Sequence, residues 1–192
     1  MLHVCAANQC RSVLAEWLLR AQFARRGVGD GDNGVVIAGA GLRALGGAPP
    51  WPAATDWLSA HGLLPPGGRS QLSRRLTPEL VLAADLVLVA TRALRDEVIT
   101  AVPAAMRRVF AWRELAWLLD GLGPDELRGD DVPARVRELP ELAARRRGLI
   151  AAPAGDVWDV LDPVARAVPL EVAAEQISAA LAAVVDVVAP HG

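Results

Sequence analysis

The chain has 192 residues, 53% of them hydrophobic and 22% charged, with a mean hydropathy of +0.28. That composition excludes a disordered chain and suffices for a substantial core in one domain. A formal net charge of −2 excludes nucleic-acid binding through bulk charge, and no apolar run reaches the roughly eighteen residues of a membrane helix.

"LHVCA" (residues 2–6) reads as a short buried strand, and the run from Ser12 to Arg26 carries apolar residues at helical spacing. "GVVIAGAG" (Gly34–Gly41) predicts a second strand ending in a glycine turn. A Pro/Gly loop then precedes a helix from Ala53 to His61. Another helix starts near Thr77, with Pro78 at its first position. Asp85–Thr91 is a continuous apolar run, as a parallel strand buried on both faces would be. "RALRDEVITAV" supplies a helix and "RRVFAW" a short fourth strand. Strands separated by helices at this spacing predict parallel βαβ units. The arginine-rich stretch around residues 114–155 reads as a mostly helical insertion in a single domain spanning 1–192, and Val168–Val188 as a long terminal helix.

Two cysteines are too few for a disulfide framework or a zinc site, and His3, His61 and His191 share no ligand spacing, so neither metal nor cofactor is expected. The N-terminus has no basic segment leading into an apolar one. A cytoplasmic chain with no membrane partner is therefore expected. Every basic residue is arginine, so any anion must be held by guanidinium groups, backbone N–H groups or helix ends.

"CAANQCRS" (residues 5–12) leaves the first strand and enters the first helix. Such a loop aims several N–H groups and the positive end of a helix dipole at one point, a cradle for a phosphate-sized anion. Arg11 would add a planar fork for two phosphate oxygens. Cys5 is either a small buried hydrophobe or a thiolate at the floor of that cradle, where the positive surroundings favour the ionised sulfur. A thiolate beneath a phosphoryl group is placed for in-line attack, and Ser12 could donate to it. An acid for the leaving group is offered by "DVWDVLDPV", through Asp156, Asp159 or Asp162, and position alone does not choose among them.

"VCAANQCRSVLAE", "IAGAG", "LSRRLT" with "AADLVLVATRALRDEV", and "DVLDP" together resemble the low-molecular-weight protein tyrosine phosphatases, which share their fold with one class of arsenate reductases. The resemblance covers residues 1–111 and 156–188. It implies a three-layer α/β/α fold with a four-stranded parallel sheet. It makes Cys5 the nucleophile, Arg11 the phosphate clamp and Asp162 the general acid, with Asp159 the weaker candidate. Ala6, Ala7, Asn8, Gln9, Cys10, Arg11 and Ser12 would cradle the phosphate. Cys10 matches a second cysteine able to form a reversible disulfide with the nucleophile.

Ala7 stands where the family has glycine, a strained position if φ is positive there. Gln71 falls where some members carry a histidine supporting Asn8, and Val164 and Ala165 stand where aromatics line a phenyl cleft, a role open to Trp158. Gln9 fits neither of the family's usual specificity residues. The implied function is cysteine-dependent hydrolysis of a phosphorylated protein, phosphotyrosine first, or of a small phosphate ester. Arsenate reduction with an external thiol and a phosphate-binding module of low turnover are the alternatives.

Overall fold

The computed structural model describes residues 1–29, 31, 34–65, 67–68, 71–150, 157–166 and 168–189. Four parallel strands lie in the order β2–β1–β3–β4. They are β1 (Leu2–Cys5), β2 (Ala38–Gly41), β3 (Val87–Val89) and β4 (Val109–Ala111). Helix α1 (Arg11–Arg25) crosses from β1 to β2, and α4 (Arg92–Ala101) crosses from β3 to β4 in the opposite direction. Right-handed crossovers running in opposite directions put these two helices on opposite faces of the sheet. The remaining helices are α2 (Pro52–Ala60), α3 (Pro78–Ala83), α5 (Trp112–Leu119), α6 (Val132–Arg147), α7 (Pro163–Arg166) and α8 (Leu170–Val188). This is the three-layer α/β arrangement expected from the sequence.

The apolar runs "LHVC", "VLV" and "VFA" are buried along their whole length, as strands covered on both faces must be. Helix α8 packs on α1 and α5, burying Ala173, Ala174, Ile177, Leu181 and Val184. Its alanines allow close approach, and Leu14, Leu19, Leu88, Phe110 and Leu115 complete a continuous core.

Two strands are shorter than their apolar runs. The second strand was expected from Gly34 but pairs only from Ala38, because the register sets Leu2 opposite Ala38 and β1 offers no partner to the preceding residues. The fourth, expected over 107–112, is cut at both ends. Arg107 and Arg108 belong to a 3₁₀ turn over Pro103–Arg108, while Trp112 starts α5. Within the arginine-rich stretch, helices form at α5 and α6 with a short 3₁₀ turn at Pro124–Glu126 between them. Arg147, at the end of α6, reaches buried Glu114 of α5 at 2.9 Å, donates to the Val109 carbonyl at 3.2 Å and stacks over the Phe110 ring. That contact docks α6 against the β4 edge.

Candidate active site

The sheet order reverses between β1 and β3, and ligands of open parallel sheets bind at the carboxyl ends of the strands beside such a reversal. Cys5 is the last residue of β1 at that edge. The loop after it turns through Asn8, whose φ of 54° makes it the one non-glycine with positive φ among the described residues. Asparagine tolerates this left-handed conformation better than most residues. The strain anticipated at Ala7 does not arise, since the positive φ falls one residue later.

Two glycines of β2 make room for the loop. A Cβ on Gly41 would lie 2.6 Å from the Ala7 carbonyl carbon and 2.7 Å from the Asn8 nitrogen, and one on Gly39 would lie 2.7 Å from Asn8 Nδ2. Helix α1 begins at Arg11 with neither a side-chain cap nor an acidic residue in its first turn, leaving its positive end directed at the loop.

The Asn8 side chain has a determined orientation beside the sulfur. The Arg74 backbone N–H can only donate, so the Asn8 atom it meets at 2.9 Å is the carbonyl oxygen Oδ1. Asn8 Nδ2 therefore faces Ser12 and donates to its Oγ at 2.9 Å. Ser12 Oγ lies 3.1 Å from Cys5 Sγ, and its hydroxyl can donate to the ionised sulfur. The Asn8 backbone N–H also points at the sulfur, at 3.3 Å. The Asn8 N–H and the Ser12 hydroxyl thus both meet Cys5 Sγ. Cys10 differs. Burial first, then the negative charges of Cys5 and Asp162, push its thiol up to about 12 in spite of Arg11. Both cysteines are free.

Arg11 is buried and held by the late loop. Its Nη1 donates to the Val160 carbonyl at 2.8 Å and its Nη2 to Asp162 Oδ2 at 2.7 Å. Three of its five N–H donors are left for an anion. The other Asp162 oxygen accepts from the Val164 N–H at 3.0 Å. The loop itself is pinned to the sheet, Val160 donating to the Ala90 carbonyl just past β3.

Of the three candidate carboxylates, Asp162 meets Arg11. Asp159 instead accepts from the Arg92 N–H at 2.8 Å, capping α4, and Asp156 lies outside the described residues. Gln71 does not reach Asn8; it donates to Glu16 at 2.7 Å.

Cys5, Arg11 and Asp162 line a crevice of about 280 Å³ whose wall comes from Pro49, Pro50, Trp51 and Pro52 on one side and Val164 and Ala165 on the other. Trp158 packs instead in the core beside Trp117, with Arg92 over its ring. The wall residue that sequence reasoning missed is Trp51. The run "APPWP" after the Gly46–Gly47 turn was the available signal. Gln9 ties this wall to the loop: its Nε2 donates to the Pro49 carbonyl at 3.1 Å and its carbonyl accepts from the Trp51 N–H at 2.7 Å.

A parallel α/β sheet whose first strand runs through such a loop into a helix defines an enzyme class built to handle phosphate at a strand-to-helix turn. Residues 1–117 match the family described as low molecular weight phosphotyrosine protein phosphatase, and the chain belongs to that family, hence to the hydrolases. A probable low molecular weight protein-tyrosine-phosphatase, EpsP, from Ralstonia nicotianae is 36% identical over 115 residues, 60% of this chain and 71% of the relative. The low molecular weight protein tyrosine phosphatase of T. tengcongensis superposes with a TM-score of 0.62 at 23% identity, covering 96% of this chain and 95% of that one. The YwlE arginine phosphatase of Geobacillus stearothermophilus gives 0.61 at 22% identity, covering 95% and 88%. These structural likenesses are to the fold. No helix among the described residues is long and apolar enough to cross a membrane.

Proposed function

We propose that the chain hydrolyses phosphate monoesters, protein phosphotyrosine foremost, through a phosphocysteine intermediate. The observation that carries this reading is the convergence of the Asn8 N–H and the Ser12 hydroxyl on Cys5 Sγ, next to an Arg11 guanidinium locked by Val160 and Asp162.

The substrate phosphoryl group enters the loop of residues 5–12, where backbone N–H groups and the free Arg11 donors take its oxygens. Cys5 thiolate attacks phosphorus, forming the S–P bond as the P–O ester bond breaks. Asp162, entering in its acid form, gives its proton to the leaving oxygen and is left as the carboxylate that pairs with Arg11. In the second half, Asp162 takes a proton from water, the new O–P bond forms, the S–P bond breaks, and thiolate and phosphate are restored. Positioned donors stabilise the charge spread over the equatorial oxygens, the largest contribution such a site makes.

The apolar wall of Trp51 and its flanking prolines favours a phenyl ring over a charged alkyl chain as the leaving group. The whole chain acts as one phosphatase domain carrying residues 114–155 as an insertion, a reading supported by its continuous core. It works in the cytoplasm, where a reducing poise keeps Cys5 a thiol.

The test is turnover of p-nitrophenyl phosphate without added metal. Wild type is expected to be active and blocked by vanadate, and Cys5→Ser to lose all turnover while still binding phosphate. Equal rates for wild type and Cys5→Ser would overturn the mechanism. A phosphotyrosine peptide is expected to exceed a phosphoarginine peptide in kcat/KM by at least tenfold; the reverse order would overturn the substrate assignment alone.

A further inference from the structure

The arginines outside the catalytic loop are not evenly spread. Six of them, Arg95 of α4, Arg107 and Arg108 before β4, and Arg137, Arg145 and Arg147 of α6, line one crevice of about 760 Å³. Arg107 and Arg108 directly precede β4, and Asp85, also on the crevice wall, lies just ahead of β3. The crevice therefore runs from the amino ends of β3 and β4 to the start of α4, and it shares no lining residue with the crevice at Cys5.

Three of the six arginines already meet carboxylates, two of them sharing one. Arg147 pairs with Glu114 at 2.9 Å, Arg95 lies 3.5 Å from the same carboxylate, and Arg145 meets Glu141 at 3.3 Å. Asp85 lies near the Met1 ammonium, whose affinity for its proton it raises against the effect of burial. Arg107, Arg108 and Arg137 have neither an ion pair nor a side-chain hydrogen bond among the described residues, and the buried Nε of Arg108 has no acceptor. Three unpaired guanidinium groups sharing a concavity repel one another, and a buried N–H without a partner is itself destabilising. A ligand that supplied several acceptor oxygens and about three negative charges would remove both penalties.

We propose that this crevice is a second anion site that takes an oligophosphate group, the arginine-rich α6 having been added to the phosphatase core to build it. Guanidinium forks match tetrahedral phosphate oxygens two at a time, and three forks from two elements suit a short phosphate chain better than a single phosphate. The cavity is also larger than one phosphate fills. Pro140 and Ala144 add a small apolar strip to its lining. The site does not depend on the catalytic reading, because none of its residues touches the loop of residues 5–12.

The probe is inorganic tripolyphosphate, titrated calorimetrically into the full chain at about 0.15 M salt, with and without vanadate in the catalytic loop. One vanadate-insensitive site per chain is expected. Arg108→Gln and Arg137→Gln should each weaken it at least tenfold, and Arg107→Gln/Arg108→Gln/Arg137→Gln should abolish it. Arg25→Gln, at the far end of α1, should leave it within twofold. Arg107 and Arg137 are exposed, so their replacement spares the fold. No binding, binding lost on vanadate addition, or an equal loss with Arg25→Gln would each overturn the site. Tighter binding of an acidic peptide than of tripolyphosphate would overturn the phosphate assignment.

Discussion

At Asn8 one side chain and one backbone conformation serve separate ends. The φ of 54° turns the loop so that its N–H reaches Cys5, while the amide orders Ser12 and anchors to Arg74. Substitutions can part the two. Asn8→Gly keeps the left-handed conformation and loses the amide; Asn8→Ala keeps a Cβ at φ 54° without the short polar group that lets asparagine adopt it. Both variants should turn over p-nitrophenyl phosphate roughly 10- to 100-fold more slowly, because the donor network to the sulfur is broken in each. Urea unfolding should find Asn8→Ala less stable than Asn8→Gly by about 1 kcal/mol. Equal stabilities would mean that the loop relaxes out of the left-handed region at no cost. The sequence marks Asn8 as part of the phosphate cradle and raises strain at Ala7 only on the condition of a positive φ there; the structure puts that φ at Asn8. Conformation at a single residue depends on what the next turn of chain packs against, and here that is β2.

Strand β2 is four residues long, yet it sets how closely the loop after Cys5 can approach the sheet. Gly41 touches the loop backbone at Ala7 and Asn8, and its own N–H and carbonyl bond to Arg74 and Leu76. A methyl group there meets backbone on the loop side, which has no rotamer with which to yield. Gly41→Ala is expected to lower kcat/KM for p-nitrophenyl phosphate by more than about 100-fold, with a smaller loss of unfolding free energy of roughly 1–3 kcal/mol. Near-normal activity would show that the loop position tolerates a shift and is not fixed by β2. The late loop is organised in the same way, since Asp159 caps α4 while Val160 bonds the end of β3, and together they carry Asp162 to Arg11. An aspartate in a loop is ambiguous in sequence because capping and catalysis use the same side chain, and the neighbour that decides between them is remote along the chain.

Over the whole molecule, His3 ties the first strand to the start of α5. It is fully buried in β1, and its Nδ1 accepts from the Trp112 indole at 3.0 Å. Burial chiefly, with the positive N-terminus and Arg20 adding to it, holds its pKa at about 3 against an ordinary 6.5. The folded protein keeps His3 neutral where the unfolded chain protonates it, so stability is full above about 6.5 and falls as pH drops toward 3. Between pH 7 and 5.5 the loss should be about 1 kcal/mol, read as a lower urea midpoint. His3→Gln should flatten that dependence; an unchanged slope in the variant would assign the acid sensitivity to carboxylates.

The chain order of strands and helices, the parallel sheet and the reading of "CAANQCRS" as an anion cradle were determined by the sequence alone. Each rests on interactions within a few residues: apolar runs, helix starts, and the N–H groups a loop presents as it enters a helix. Only the tertiary structure brought Asp162 rather than Asp159 to Arg11, set Trp51 and not Trp158 in the crevice wall, put the positive φ at Asn8, and gathered Arg107, Arg108 and Arg137 without carboxylate partners among the described residues. Those outcomes depend on groups far apart in the chain, which meet only where the crossovers and the sheet register place them.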